Sequence, residues 1–116
     1  VLKLLLQPLV ENALYHGIKN KRGKGHLTVR GWSDGGELCF SVSDNGIGMT
    51  EERLEDVRQQ ICASFDPALL NGVYGLYNVN KRLALYYGEQ ARIEIQSTHK
   101  EGTTVSFRVS EVDRDV

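Results

Sequence analysis

The sequence predicts an α/β two-layer sandwich, with a mixed, mainly antiparallel sheet covered by helices on one face. Two pairs of period-two segments each flank a glycine turn, which makes two β-hairpins. Three further segments carry apolar residues at helical spacing, and the resulting order is α-β-β-α-α-β-β. That order contains no βαβ alternation of the kind a doubly wound sheet needs, and no internal repeat interrupts it. At 116 residues, 41% hydrophobic and 25% charged, the chain has the size and composition of one folded domain spanning 1–116.

Residues 2–17 place Leu2, Leu5, Leu6, Leu9, Ala13 and Leu14 on one side of a helix, and Gly17 is the stop signal. Residues 18–25 combine Lys19, Lys21, Arg22 and Lys24 with Gly23 and Gly25, which is loop chemistry with local positive charge. The segments 27–32 and 38–43 alternate around Asp34-Gly35-Gly36 and form the first hairpin. A second glycine turn runs from Asp44 to Met49. Thr50, ahead of Glu51 and Glu52, is an N-cap signal for a helix reaching about residue 63.

Residues 64–74 contain Pro67 and Gly72 without a clear period, so a mobile loop is expected there. A third helix over 76–87 sets Leu76, Val79, Leu83 and Tyr86 on one side and stops at Gly88. The last hairpin pairs 93–96 with 104–109 around Glu101-Gly102.

A net charge of -1 gives no global attraction toward phosphate backbones or anionic lipid, so neither nucleic acid nor a membrane is an expected partner. The sequence has no apolar run of the roughly 20 residues that a membrane span needs, and no signal-peptide pattern. Cys39 and Cys62 lack metal or CxxC spacing and are expected as reduced thiols. Because Val1 already lies in a helix pattern, the chain reads as a piece of a longer protein.

Four strings carry candidate chemistry. In Asp44-Asn45-Gly46-Ile47-Gly48-Met49, glycines allow close backbone approach to a planar ligand, and the Asp44 carboxylate can accept from an exocyclic amine such as that of adenine. Read alone, the hexapeptide is equally a plain Asn-Gly turn. In Gln7-Pro8-Leu9-Val10-Glu11-Asn12-Ala13-Leu14-Tyr15-His16-Gly17, Asn12 and His16 share a helix face beside Glu11 and Tyr15. An asparagine amide oxygen there could complete a Mg²⁺ shell, and a solvated helix face is the alternative. Gly72-Val73-Tyr74-Gly75-Leu76 opens a helix whose free N–H groups suit phosphate oxygens. Gly102-Thr103-Thr104 puts hydroxyls at a strand start, which ordinary β-propensity also explains.

Together, in type and order, these strings resemble the Bergerat or GHKL nucleotide-binding fold of histidine kinases, gyrase, Hsp90 and MutL, over nearly the whole chain. Gln7-Pro8-Leu9-Val10-Glu11-Asn12-Ala13 and Gly75-Leu76-Tyr77-Asn78-Val79-Asn80-Lys81-Arg82-Leu83 resemble the N box and second glycine box of sensor histidine kinases of the LytS/YesM type. The resemblance assigns Asn12 to Mg²⁺, and Asp44 with Thr103 and a bridging water to adenine. It gives Gly46 and Gly48 to the adenine pocket, Met49 to the ATP site, His16 to the adenine and ribose side, and Gly75 and Leu76 to the phosphates. Residues 64–74 correspond to its ATP lid.

The implied function is the catalytic domain of a two-component sensor histidine kinase, moving the γ-phosphoryl of Mg-ATP to a histidine on a separate dimerisation domain absent from this chain. A cytoplasmic position, a membrane-anchored parent and a downstream response regulator are implied with it. The chain departs from the pattern in three places. Tyr15 stands where many members carry a basic residue, so phosphate-contacting charge would come from Lys19, Lys21, Arg22 or Lys24. Of the second glycine box, Asn71-Gly72-Val73-Tyr74-Gly75-Leu76 keeps only the last glycine in register. Pro8 stands where the family's ATPases carry a water-activating glutamate, and proline is no base. The rival readings are therefore an ATPase domain, which Pro8 disfavours, and a non-enzymatic nucleotide-sensing or anti-sigma-like module. The isolated chain is expected to bind ATP without phosphorylating itself.

Overall fold

The computed structural model describes residues 2–14, 24–62, 74–88 and 91–110. Helix α1 (Leu2–Asn12) buries Leu5 and Leu9, four residues apart, as one stripe. It carries Pro8 in its interior, and a wider π-type turn over Ala13 and Leu14 continues it. The expected extension through 15–17 lies outside the described residues. Leu14 does not join the apolar stripe: its side chain is 46% exposed, because the wider turn and the end of the packed surface turn it outward.

Strands β1 (Leu27–Asp34) and β2 (Glu37–Asp44) form a hairpin slightly longer than the sequence pattern suggested. Gly35 and Gly36 make the two-residue turn, and both have positive φ (57° and 86°), as a hairpin turn that follows the strand twist demands. Helix α2 (Glu51–Cys62) starts where Thr50 Oγ1 accepts the Arg53 N–H at 3.2 Å, the expected N-cap. Helix α3 (Tyr74–Tyr87) begins two residues earlier than the spacing of its apolar residues indicated, and the Gly88 N–H, bonded to Ala84 O at 3.0 Å, closes its end. Tyr86 is exposed, and Tyr87, four residues after Leu83, packs on the core in its place. Strands β3 (Glu94–Thr98) and β4 (Gly102–Ser110) complete the sheet.

The strand order is β1-β2-β4-β3, and every pairing in this sheet is antiparallel. Register places Leu38, Phe40 and Val42 of β2 opposite Val109, Phe107 and Val105 of β4, so one sheet face is apolar. Phe40 and Phe107 stack with ring centroids 5.3 Å apart. Against this face pack Leu5 and Leu9 of α1, Leu54, Val57 and Ile61 of α2, and Leu76, Val79 and Leu83 of α3. Asn80 ties the layers together: its Nδ2 donates to Ile61 O at 3.2 Å and its Oδ1 accepts Ile93 N–H at 2.9 Å. The opposite sheet face holds Arg30, Ser41, Ser106 and Arg108, with the Cys39 thiol free and buried among them.

Candidate functional site

At one end of the sheet, antiparallel register sets Asp44 opposite Thr103, and Thr103 opposite Ser97. Strand parity points all three toward the helix-covered face, because Asp44 follows Val42, Thr103 precedes Val105 and Ser97 follows Ile95 by two residues each. The Asp44 carboxylate is half-buried, and its Oδ1 accepts the Gly46 N–H at 2.8 Å in an Asx turn. Thr103 N–H also donates to this carboxylate. Burial raises the Asp44 pKa above the ordinary aspartate value, and the two N–H bonds pull it partly back. A carboxylate offers about four acceptor sites, so two N–H bonds leave capacity for a donor from outside.

Two turns interlock beside this carboxylate. Lys100 N–H donates to Ile47 O at 2.6 Å, joining the β3–β4 turn to the turn after β2. Gly48 has φ 63°, and a Cβ there would lie 2.0 Å from Thr98 O. Gly102 has φ 131°, and a Cβ there would lie 2.0 Å from Asp44 O. Gly48 and Gly102 are thus demanded by the packing of one backbone on another. The Met49 N–H donates to Ser97 Oγ at 2.8 Å, and Met49 packs on the edge of the core. Asn45 clamps the start of β1: its Oδ1 accepts His26 N–H at 2.6 Å, and its own N–H donates to His26 O at 3.2 Å.

Of the residues singled out from the sequence, Asp44, Gly46, Gly48, Met49 and Thr103 come together here. Asn12 is half-buried at the edge of the core-facing stripe of α1, three residues after Leu9, while its neighbour Glu11 is exposed and accepts from Gln7 Nε2 at 3.2 Å. Gly75 lies within the first turn of α3, where backbone N–H groups have no intrahelical partner. The Leu76 side chain is core, 3% exposed, so its amide alone could meet a ligand. His16, Lys19, Lys21, Arg22 and the expected lid at 64–73 lie outside the described residues, and Tyr74, expected in the lid, opens α3. Ser97 lies outside all four strings, since a serine in a strand carries no distinctive local signal.

Comparison with known proteins matches residues 1–113 to the family of histidine kinase-, DNA gyrase B-, and HSP90-like ATPases. The sensor protein LytS of Bacillus cereus is 37% identical over 103 residues, covering 89% of this chain and 17% of LytS. The sensor protein kinase HptS of Staphylococcus aureus is 35% identical over 108 residues, covering 92% of this chain and 20% of HptS. The chain therefore spans about a fifth of the length of these relatives. Among solved structures, the histidine kinase domain of the blue-light activated kinase of Erythrobacter litoralis superimposes with a TM-score of 0.64 at 22% identity, over 97% of this chain and 44% of that one. The catalytic domain of histidine kinase ThkA gives a TM-score of 0.63 at 17% identity, over 94% of this chain and 67% of that one. These likenesses establish a shared fold.

Proposed function

The chain belongs to the histidine kinase-, DNA gyrase B-, and HSP90-like ATPase family, and on that premise we propose that it is the ATP-binding catalytic domain of a sensor histidine kinase. It holds Mg-ATP and transfers the γ-phosphoryl group to a histidine on a separate helical dimerisation domain of a longer parent. The observation that carries this reading is the half-buried Asp44 carboxylate, held by the Gly46 and Thr103 N–H groups with acceptor capacity to spare. Such a group suits the exocyclic amine of adenine and repels the carbonyl oxygen of guanine. In this reading Gly46, Gly48 and Met49 build the turn that fixes Asp44. The first-turn amides of Gly75 and Leu76 face the phosphates. His16 lines the adenine and ribose side, and the basic residues Lys19, Lys21, Arg22 and Lys24 supply neutralising charge.

Magnesium fits the donors present. A small hard cation takes oxygen ligands and keeps several waters, so it needs few protein groups when phosphates are at hand. Asn12 offers a side-chain amide oxygen at the edge of the core, and no group of three His, Cys, Asp or Glu gathers among the described residues. When bound with ATP, Mg²⁺ would neutralise phosphate charge. Phosphoryl transfer to an imidazole rests on positioning and charge neutralisation, and the acceptor is its own nucleophile. Pro8, four residues before Asn12 inside α1, provides no base to activate water.

The same reading gives the parent a membrane anchor, a cytoplasmic position for this domain and a response regulator as the next phosphoryl acceptor. No described helix is long and apolar enough to cross a membrane. Titration calorimetry with ATP and GTP, each with and without Mg²⁺, tests the proposal. It predicts binding of ATP, strengthened by Mg²⁺, and at least tenfold weaker binding of GTP, the order of one charge-assisted hydrogen bond. Equal affinities for the two purines would refute the assignment of Asp44.

A further inference from the structure

Ser97 stands beside Thr103 in the sheet, and its hydroxyl meets three groups at once. It accepts the Met49 N–H at 2.8 Å, lies 2.9 Å from the Gly102 carbonyl oxygen, and lies 2.8 Å from Thr103 Oγ1. A carbonyl oxygen can only accept, and two oxygens so close repel unless a proton lies between them. The Ser97 proton therefore points at Gly102 O. Both lone pairs of Ser97 Oγ are then acceptors, one for Met49 N–H and the other for a proton that Thr103 Oγ1 must supply. Thr103 has a single hydroxyl proton, and this arrangement turns it inward. What remains on its outer side is lone pairs.

We propose that Ser97 is a positioning residue that sets the polarity of the purine pocket. By holding the Thr103 hydroxyl as an acceptor next to the Asp44 carboxylate, it leaves that end of the pocket with acceptors only. An amine at purine position 6 fits such a wall, and a carbonyl oxygen there is repelled. Ser97 also anchors both of the turns that build the wall, through Met49 N–H on one and Gly102 O on the other. This inference rests on the nucleotide reading above, and it adds a residue that touches no ligand.

Dissociation constants for ATP and inosine triphosphate, which carries a 6-oxo group, test it on the wild-type chain, Ser97→Ala and Ser97→Thr, with inorganic triphosphate as a phosphate-only probe. In Ser97→Ala the Thr103 hydroxyl is free to turn and donate outward. The ATP preference should then fall about tenfold, the worth of one hydrogen bond whose sense has reversed. Triphosphate binding should stay unchanged, and Ser97→Thr, which keeps the hydroxyl, should retain the wild-type preference. If circular dichroism shows Ser97→Ala unfolded, Ser97→Cys replaces it, because a thiol is a weak donor and acceptor. Three results overturn the role of Ser97 alone: an unchanged preference in the folded variant, a parallel loss of both nucleotides, or no rescue by Ser97→Thr. A wild-type chain that binds no ATP overturns the nucleotide reading, and this inference with it.

Discussion

Replacing Asp44 by asparagine keeps the shape of the side chain and removes its charge, and binding and stability should then move in opposite directions. In the structure Oδ1 accepts the Gly46 N–H at 2.8 Å, and the carboxylate also accepts from Thr103 N–H. An asparagine oxygen has two lone pairs and can keep both N–H bonds, but its outer arm becomes an NH₂ group facing the adenine amine. The loss of a hydrogen bond to a charged acceptor amounts to about 1.5–3 kcal/mol. ATP affinity should therefore fall by about 10- to 150-fold. Stability follows the pKa: burial raises the Asp44 value, so the folded chain holds the proton more tightly than the unfolded chain. The stabilising contribution is then fully present below the unfolded value and is lost as pH rises through the folded one. At neutral pH the ionised carboxylate thus destabilises the ligand-free fold, and Asp44→Asn should melt at the wild-type temperature or above it. Wild-type ATP affinity should also weaken, as pH falls, before an ordinary aspartate would titrate. Calorimetry and thermal unfolding, each repeated from neutral pH down through the carboxylate range, measure these effects. A folded Asp44→Asn chain with wild-type ATP affinity would remove Asp44 from the adenine site.

Asn12→Ala exchanges a proposed Mg²⁺ ligand for a better helix former at a half-buried position, so stability should hold or rise. Its ATP affinity should lose its Mg²⁺ dependence, and a wild-type chain indifferent to Mg²⁺ contradicts the assignment. Gly48→Ala should cost about 2–4 kcal/mol, because its Cβ would meet Thr98 O at 2.0 Å with φ at 63°. Gly35→Ala is the control: φ is 57° but nothing lies within 4 Å, so only the left-handed backbone cost of about 1–2 kcal/mol applies. Urea midpoints of the two variants compare them, and equal losses would mean that the two turns do not interlock as described.

Most elements were legible because their signals are local. The spacing of Leu5, Leu9 and Ala13 in α1, and of Leu76, Val79 and Leu83 in α3, gives the helix faces directly. Asp34-Gly35-Gly36 gives the first hairpin, and Thr50 gives the start of α2. Helix ends were harder, since periodicity alone does not say where the packed surface stops. Leu14 and Tyr86 fit the pattern and are nonetheless exposed, and α3 extends back to Tyr74 through a glycine that weakens the helical signal.

The residues of the Asp44 turn stood out in the sequence because carboxylate and glycine chemistry is concentrated in six positions. Their physical setting did not, because it depends on long-range register. Gly48 suggested room for a ligand, whereas the space a side chain would fill there is taken by backbone of the β3–β4 turn. Ser97 lies 48 residues from Met49 in sequence, and only the pairing of β3 with β4 brings its hydroxyl to Thr103. Thr103 and Thr104 read alike along the chain, yet strand parity sends one hydroxyl to Ser97 and the other to Ser43 on the opposite face.

On the reading proposed above, this chain binds Mg-ATP and hands its phosphoryl group to a histidine carried elsewhere. The most direct test incubates it with γ-labelled ATP, alone and then linked to the helical dimerisation domain of its parent. Linkage raises the effective concentration of the acceptor. The lone chain should bind ATP without labelling or turnover, since Pro8 leaves no base to activate water. The linked protein should carry acid-labile phosphate on a histidine of the added domain, and none on His16, His26 or His99. Enzyme-like ATP hydrolysis by the lone chain, or label on one of its own histidines, would contradict that reading.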